Sequence, residues 1–161
     1  MPTTASVPTL SRSEPLSLRI PSIGVATHVV DEGLTADGAL QVPPLTSTGT
    51  HEAGWYDLGP APGQTGPAVI VGHVDSTSGP AVFYRLGSLA VGNKIMVGRA
   101  NGTTATFTVT AVRQYPKASF PTQAVYGPIP YAGLRLITCG GKFDPASGHY
   151  LSNIVAYATA A

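Results

Sequence analysis

The chain has 161 residues, of which 43% are apolar and only 11% are charged, a balance that suits one compact domain with a buried core and excludes a charge-rich disordered protein. Nine basic and eight acidic side chains give a formal net charge of +1, and the basic ones are scattered, so nothing favours nucleic acid as a partner. A single cysteine, Cys139, excludes an internal disulfide and a cysteine-cluster metal site.

Nineteen glycines and fifteen prolines divide the sequence into short segments, which favours an all-β fold over long helices. Residues 1–15 are rich in Pro, Ser and Thr and have no apolar period, so we expect a flexible N-terminal arm followed by one domain over residues 16–161. No segment approaches the roughly 18 uninterrupted apolar residues that a membrane helix needs.

The predicted strands follow in chain order. After an extended start near Leu18, Pro21 interrupts the pattern, and its missing N–H suits an edge strand or a bulge. Asp37-Gly38 predicts a hairpin turn, Trp55-Tyr56 a short strand or turn, and residues 80–90 a short helical turn. The other predicted strands, each β-branched or aromatic and bounded by turn residues, are 68–74, 93–98, 105–115, 134–138 and 153–158. Seven or eight short strands indicate a barrel or a sandwich.

Two residues suited to covalent chemistry follow apolar runs. Cys139 comes directly after LRLIT and before Gly140-Gly141, so we expect its thiol at a strand end beside a flexible loop. His73 has the same placement after AVIVG, and the two strand ends could face one cleft. An ordinary thiol is only a few per cent thiolate at neutral pH, so a nucleophilic cysteine gains from a nearby imidazole. A buried, inert cysteine and a surface histidine remain the alternatives.

The segments VGHVD, AVFYRL, LRLITCGG and NIVAYA, in this order, resemble the sortases, and most closely the actinobacterial class F group. The resemblance extends from about Leu18 to Ala158. It implies an all-β fold, a closed eight-stranded barrel with one or two short helices or 3-10 turns. It also implies an enzyme on the extracellular face of the membrane of a Gram-positive cell, so we expect the full-length protein to carry a membrane anchor that this chain lacks.

The same resemblance implies a cysteine transpeptidase and a role for each matching residue. Cys139 would attack the threonine carbonyl of an LPXTG-like sorting signal, and His73 would protonate the leaving glycine amine. An amine nucleophile such as a cell-wall precursor would then resolve the thioacyl enzyme. Thr138 would help to shape the oxyanion site, and the Leu-Pro part of the signal would lie along Ile137 and Arg135. We expect a monomer with no cofactor and no metal.

One position departs from the family pattern. Sortases usually have an arginine at the start of the last strand, where it contacts the substrate and the developing oxyanion, and here Asn153 occupies that register. An asparagine amide still donates hydrogen bonds, but without a full charge. Arg85 or Arg135 could supply a guanidinium instead, and His149 is an alternative to His73 as the imidazole partner.

Two other functions remain open at this point. A cysteine hydrolase would use the same thioacyl chemistry, with water in place of the amine. A non-enzymatic β-barrel binding module would have Cys139 buried and inert.

Overall fold

The computed structural model describes residues 9–32, 51–76 and 79–161 of the chain. Within these residues the chain forms strands connected by short turns and a single α-helix. The strands are β1 Pro15–Ile20, β2 Val25–Glu32, β3 Ala53–Tyr56, β4 Gly66–Val71, β5 Asp75–Ser76, β6 Gly79–Pro80, β7 Lys94–Arg99, β8 Thr104–Pro116, β9 Ala132–Asp144 and β10 His149–Ala160. The helix is α1 Thr122–Tyr126, and short 3-10 turns span Pro21–Ile23, Leu86–Ser88 and Lys117–Ser119.

Eight of these strands close into a barrel in the order β1-β2-β3-β4-β9-β10-β8-β7. Most neighbouring strands are antiparallel, but β2 pairs with β3, and β4 with β9, in parallel. The short strands β5 and β6 form a separate antiparallel pair in the segment that follows β4. The predicted closed eight-stranded barrel is therefore confirmed, and its sheet is mixed.

The barrel interior is filled by the side chains that point inward from each strand. Leu18 and Ile20 of β1, together with Leu134 and Leu136 of β9, are completely buried there with the indole of Trp55 at 1% exposure. Alternate residues of a strand point to opposite faces, which explains the spacing of two in both pairs. Burying each such aliphatic side chain stabilises the fold by about 1.5–3 kcal/mol.

A second group of apolar side chains lies on the outer face of β4, β9 and β10, with one tyrosine each from β3 and β8, and is called the outer cluster here. Every residue of β4 is buried, as the uninterrupted apolar run predicts, because the outer face of this strand is also covered. The segment after β8 provides the cover with Phe120 and with Val125 and Tyr126 of α1. The strand residues of the cluster are Tyr56, Val69, Val71, Tyr115, Ile137, Val155 and Tyr157.

Two local predictions were wrong. Pro21 begins a 3-10 turn, and β1 has hydrogen-bonded neighbours on both sides, so Pro21 marks neither an edge strand nor a bulge. Cys139 does not end its strand, because β9 continues to Asp144. Gly141 allows this continuation: its φ is 75°, and a Cβ there would lie 2.7 Å from Nε2 of Gln114.

The described part of the N-terminal arm runs along the barrel. Leu10 donates its amide to the carbonyl of Gly63 at 2.8 Å. The guanidinium of Arg12 lies 5.1 Å from the centre of the Trp55 ring and donates to the carbonyl of Asp57 at 3.0 Å. Residues 1–8 and the predicted Asp37-Gly38 turn lie outside the described residues. In the parts of the chain given above, no helix has the length and apolar character that crossing a bilayer would require.

Candidate active site

The register of the central strands brings three of the predicted site residues to one level of the barrel. β4 and β9 run parallel with Val71 opposite Ile137, and two residues further along each chain come His73 and Cys139. On the other side of β9, Cys139 lies directly opposite Asn153 of β10. Residues that face each other in this way have Cβ atoms about 4.5–5.5 Å apart and point to the same side of the sheet. Cys139 and Asn153 therefore lie side by side on the outer face.

A side-chain hydrogen bond fixes the backbone just before His73. The amide of Gly72 donates to the carbonyl of Ile137 at 3.1 Å, which extends the β4–β9 ladder one residue beyond β4. The hydroxyl of Thr138, which is buried, donates to the carbonyl of Gly72 at 2.7 Å. Thr138 thus acts on the position of His73, and its hydroxyl is turned away from the face that carries Cys139.

Gly72 is required here by close packing. A Cβ on this residue would lie 2.7 Å from Cδ2 of Phe83 and 2.8 Å from Cγ1 of Val82. Phe83 is completely buried in the barrel core, and its amide donates to the carbonyl of His73 at 2.9 Å. The Gly-His pair of the sequence is therefore held by Phe83 on one side and by Thr138 on the other. His73 itself is half-buried.

The hairpin of β5 and β6 is tied to β10 by a tyrosine. The phenol of Tyr150 donates to a carboxylate oxygen of Asp75 at 2.5 Å. This hydrogen bond is the main reason that the pKa of Tyr150 is raised, with burial and the negative charge of Asp75 adding to it. The segment that carries His73 is thereby linked to the strand that carries Asn153.

Cys139 is half-buried, so this residue is not sealed in the core. It accepts a hydrogen bond from the side-chain ammonium of Lys117, with Nζ 3.4 Å from Sγ. Lys117 follows β8 directly, in the 3-10 turn that leads towards α1. An amine donor beside a half-exposed thiol is the setting of a reactive cysteine, whereas an inert cysteine has apolar neighbours.

On the outer face of β9, the residues that precede Cys139 at a spacing of two are Ile137 and Arg135, and both are buried. Ile137 is 7% exposed and belongs to the outer cluster. Arg135 is 4% exposed, and its guanidinium lies 4.7 Å from the centre of the Tyr157 ring. Within the described parts of the chain, Nε of Arg135 has no hydrogen-bond partner. Four strand residues separate Arg135 from Cys139, a distance of about 13 Å.

Two of the sequence candidates lie away from this level. Arg85 is exposed and donates to the carbonyl of Ile23, 3.4 Å away, at the turn between β1 and β2. The backbone of His149 opens β10 opposite Asp144, five residues past Cys139 on β9, or about 16 Å of strand. The register thus brings His73, and not the backbone of His149, to the level of the thiol.

Sequence reasoning missed Lys117 and Tyr150 as neighbours of the site. Lys117 lies in the segment between two strands and belongs to no motif, so its contact depends on how β8 packs beside β10. In the described segments, no group of three or more His, Cys, Asp or Glu side chains is arranged to hold a metal ion.

Comparison with known proteins identifies the family. A family model described as a sortase domain matches residues 18–161. A sequence search of curated proteins found no match. Similar solved structures include sortase A from Corynebacterium diphtheriae, with a TM-score of 0.68 and 21% identity over 94% of this chain and 62% of that one. Sortase C-1 from Actinomyces oris has a TM-score of 0.67 and 18% identity over 92% of this chain and 75% of that one.

The pilus-related sortase C of Group B Streptococcus has a TM-score of 0.67 and 15% identity, covering 94% of this chain and 70% of that chain. The chain thus spans less than two thirds of the Corynebacterium protein and about three quarters of the Actinomyces protein. The family-model match includes every barrel strand except the first residues of β1. The chain therefore belongs to the sortase family.

Proposed function

We propose that this domain cleaves an LPXTG-like sorting signal between Thr and Gly and transfers the acyl part to an amine, with Cys139 as the nucleophile. The observation that carries the proposal is the common level of His73, Cys139 and Asn153 across β4, β9 and β10. A half-buried thiol with a polar donor beside it supports this role over that of an inert core cysteine.

The proposed chemistry proceeds in two steps. The thiol of Cys139 gives its proton to His73, and its sulfur attacks the threonine carbonyl while the electron pair of the C=O bond moves to the oxygen. When the oxyanion collapses, the C–N bond breaks, and His73 gives a proton to the departing glycine amine. The incoming amine then attacks the thioester, loses a proton to His73 and expels the sulfur. The amide of Asn153, beside Cys139, donates to the carbonyl oxygen in both steps.

The outer face suggests where the peptide lies. An extended peptide with its threonine at Cys139 would bring the Leu-Pro portion to the edge of the outer cluster beside Ile137, in the direction of Arg135; both side chains share the face of the nucleophile but are themselves buried. The apolar side chains of the outer cluster suit leucine and proline. The residues matching the actinobacterial class F pattern support assignment to that class, in a membrane-anchored enzyme on the extracellular face of the cell, acting as a monomer on secreted proteins.

Peptide acylation tests the proposal. The domain is incubated with a Leu-Pro-x-Thr-Gly peptide and examined by mass spectrometry for a thioacyl adduct. We expect an adduct on Cys139 in the wild-type protein, none in Cys139→Ala, and a much slower reaction in His73→Ala. A wild-type protein that forms no adduct with any such peptide would refute the proposed substrate class.

A hydrolase is the second candidate, since water can resolve the same thioester. Product analysis with and without oligoglycine separates the two reactions. Transfer predicts a peptide ligated to the added amine, whereas hydrolysis predicts only the free acid. A binding module without activity predicts a thiol that reagents label only after denaturation, and the half-buried state of Cys139 disfavours it.

A further inference from the structure

The contact between Lys117 and the thiol of Cys139 brings a positively charged side chain to the proposed nucleophile. In the proposed reaction a negative charge develops on an oxygen that is bonded, through the carbonyl carbon, to Sγ of Cys139. A full charge stabilises such an oxyanion more strongly than a neutral donor does. Asn153, the residue beside the thiol on β10, is neutral. A cation near Sγ would therefore stabilise the oxyanion more strongly than Asn153 alone can.

The arginines near the site do not reach Sγ. The guanidinium of Arg85 contacts the carbonyl of Ile23, and that of Arg135 packs on the Tyr157 ring about four residues along the strand from Cys139. Arg113 of β8 donates to the carbonyl of Val112. The ammonium of Lys117, by contrast, contacts the thiol, with Nζ 3.4 Å from Sγ.

The local structure explains why Lys117 reaches across a strand. β8 ends at Pro116, which lies opposite Ser152 of β10, and β10 in turn lies between β8 and β9. The chain turns at Lys117 into the 3-10 turn Lys117–Ser119, so the lysine side chain leaves the end of β8 and extends over β10 to Cys139. Lys117 is exposed at this turn, and its ammonium donates to Sγ of Cys139.

We propose that Lys117 is a catalytic residue whose ammonium donates a hydrogen bond to the developing oxyanion on the acyl carbon attached to Cys139. The ammonium has three donors, so it can keep its contact with sulfur while a second N–H meets the oxygen. In this role Lys117 only donates hydrogen bonds, and His73 carries the proton transfer. This inference rests on the proposed function, since it adds a residue to the same acyl transfer.

The test compares two reactions of the same thiol. Acylation by p-nitrophenyl acetate passes through an oxyanion and releases p-nitrophenolate, and it needs no peptide recognition. Alkylation by iodoacetamide displaces iodide directly and forms no oxyanion. Lys117→Met keeps most of the side-chain stem and removes the charge, while Lys117→Arg retains a charge. Lys142→Met, which removes an exposed lysine three residues past Cys139, is the matched control.

We expect Lys117→Met to slow acylation by about 10²–10³-fold, the usual effect of removing one oxyanion donor, and to change alkylation by only a few-fold. Lys117→Arg should recover part of the acylation rate, and Lys142→Met should acylate at about the wild-type rate. With the sorting peptide, the loss in Lys117→Met should fall on kcat and leave KM nearly unchanged. Circular dichroism confirms that each variant is folded, which we expect because Lys117 is exposed.

Three results with the Lys117 variants would overturn the inference. They are wild-type acylation in Lys117→Met, equal losses in acylation and alkylation, and equal losses in the Met and Arg variants. A wild-type protein that is alkylated but not acylated would overturn it as well. If the ester reaction depends on Lys117 while no sorting peptide acylates Cys139, the role of Lys117 stands and the proposed substrate class fails.

Discussion

A methyl group at position 72 should damage both stability and catalysis. In Gly72→Ala the new Cβ would lie 2.7 Å from Cδ2 of Phe83, whereas carbon atoms pack comfortably at about 3.5–4.0 Å. The φ of Gly72 is not in the left-handed region, so the cost is steric and does not include backbone strain. Phe83 is fully buried and cannot move without disturbing the core.

The magnitude follows from two opposing effects. Overpacking a core by one methyl group costs about 1–3 kcal/mol. Alanine also restricts the unfolded chain more than glycine does, which returns about 0.4–1 kcal/mol. We therefore expect Gly72→Ala to lower the free energy of unfolding by about 1–2 kcal/mol, measured by urea denaturation. Because His73 follows directly, its displacement should lower kcat/KM for peptide acylation by up to about 10²-fold.

Two further variants test whether the clash with Phe83 causes these losses. In Gly87→Ala the nearest atom, Cδ1 of Ile154, lies 3.4 Å from the new Cβ, an ordinary contact, so stability and activity should stay near wild type. Phe83→Leu removes part of the ring that the added methyl group would strike, so the double variant should lose less stability than the sum of the single variants. Strictly additive losses, or a Gly72→Ala protein as stable and active as wild type, would refute the packing argument.

Three further predictions concern charge and hydrogen bonding. Asn153→Ala should slow peptide acylation about 10-fold or more, because the amide beside Cys139 is lost, and an unchanged rate would remove Asn153 from the site. Burial, and next the hydrogen bond with Tyr115, raise the pKa of Tyr157, so the folded state favours the neutral phenol. The contribution of the neutral Tyr157 phenol to the free energy of unfolding is present in full below its ordinary pKa of 10.0 and is lost as the pH rises above that value. Tyr157→Phe should therefore flatten the fall in urea midpoint above about pH 10, and an unchanged fall would contradict this. Burial, together with Asp57 and other acidic neighbours, raises the pKa of Glu32, so its ionised form destabilises the fold above the ordinary value of 4.5. Glu32→Gln should raise the melting temperature slightly at about pH 7, and the gain should vanish near about pH 3; the opposite pH dependence would count against it.

The parts of the site that the sequence predicted depend on local patterns. The all-apolar run of β4 indicates a strand covered on both faces, and the position of His73 after it follows from the end of that run. Cys139 was predicted at a strand end because two glycines follow it. That inference was wrong because Gly141, at positive φ, lets β9 bend and continue.

Contacts between distant parts of the chain could not be predicted in the same way. No pattern within the sequence of β8 specifies that β8 pairs with β10, and this pairing is what brings Lys117 to the thiol. The bond between Tyr150 and Asp75 likewise joins residues 75 positions apart. Arg85 was considered as a donor to the oxyanion from its place in the chain, whereas the structure shows its guanidinium at the carbonyl of Ile23.

The parallel pairing of β4 with β9 has a consequence for biosynthesis. The hydrogen bond from Thr138 to Gly72 spans 66 positions, and Asn153 lies on the last strand. Contacts of such long range form late in folding, because the loop between them must be closed first. During synthesis on the ribosome, His73 therefore emerges long before Cys139, and the proposed active site is assembled only after β10 has joined the barrel.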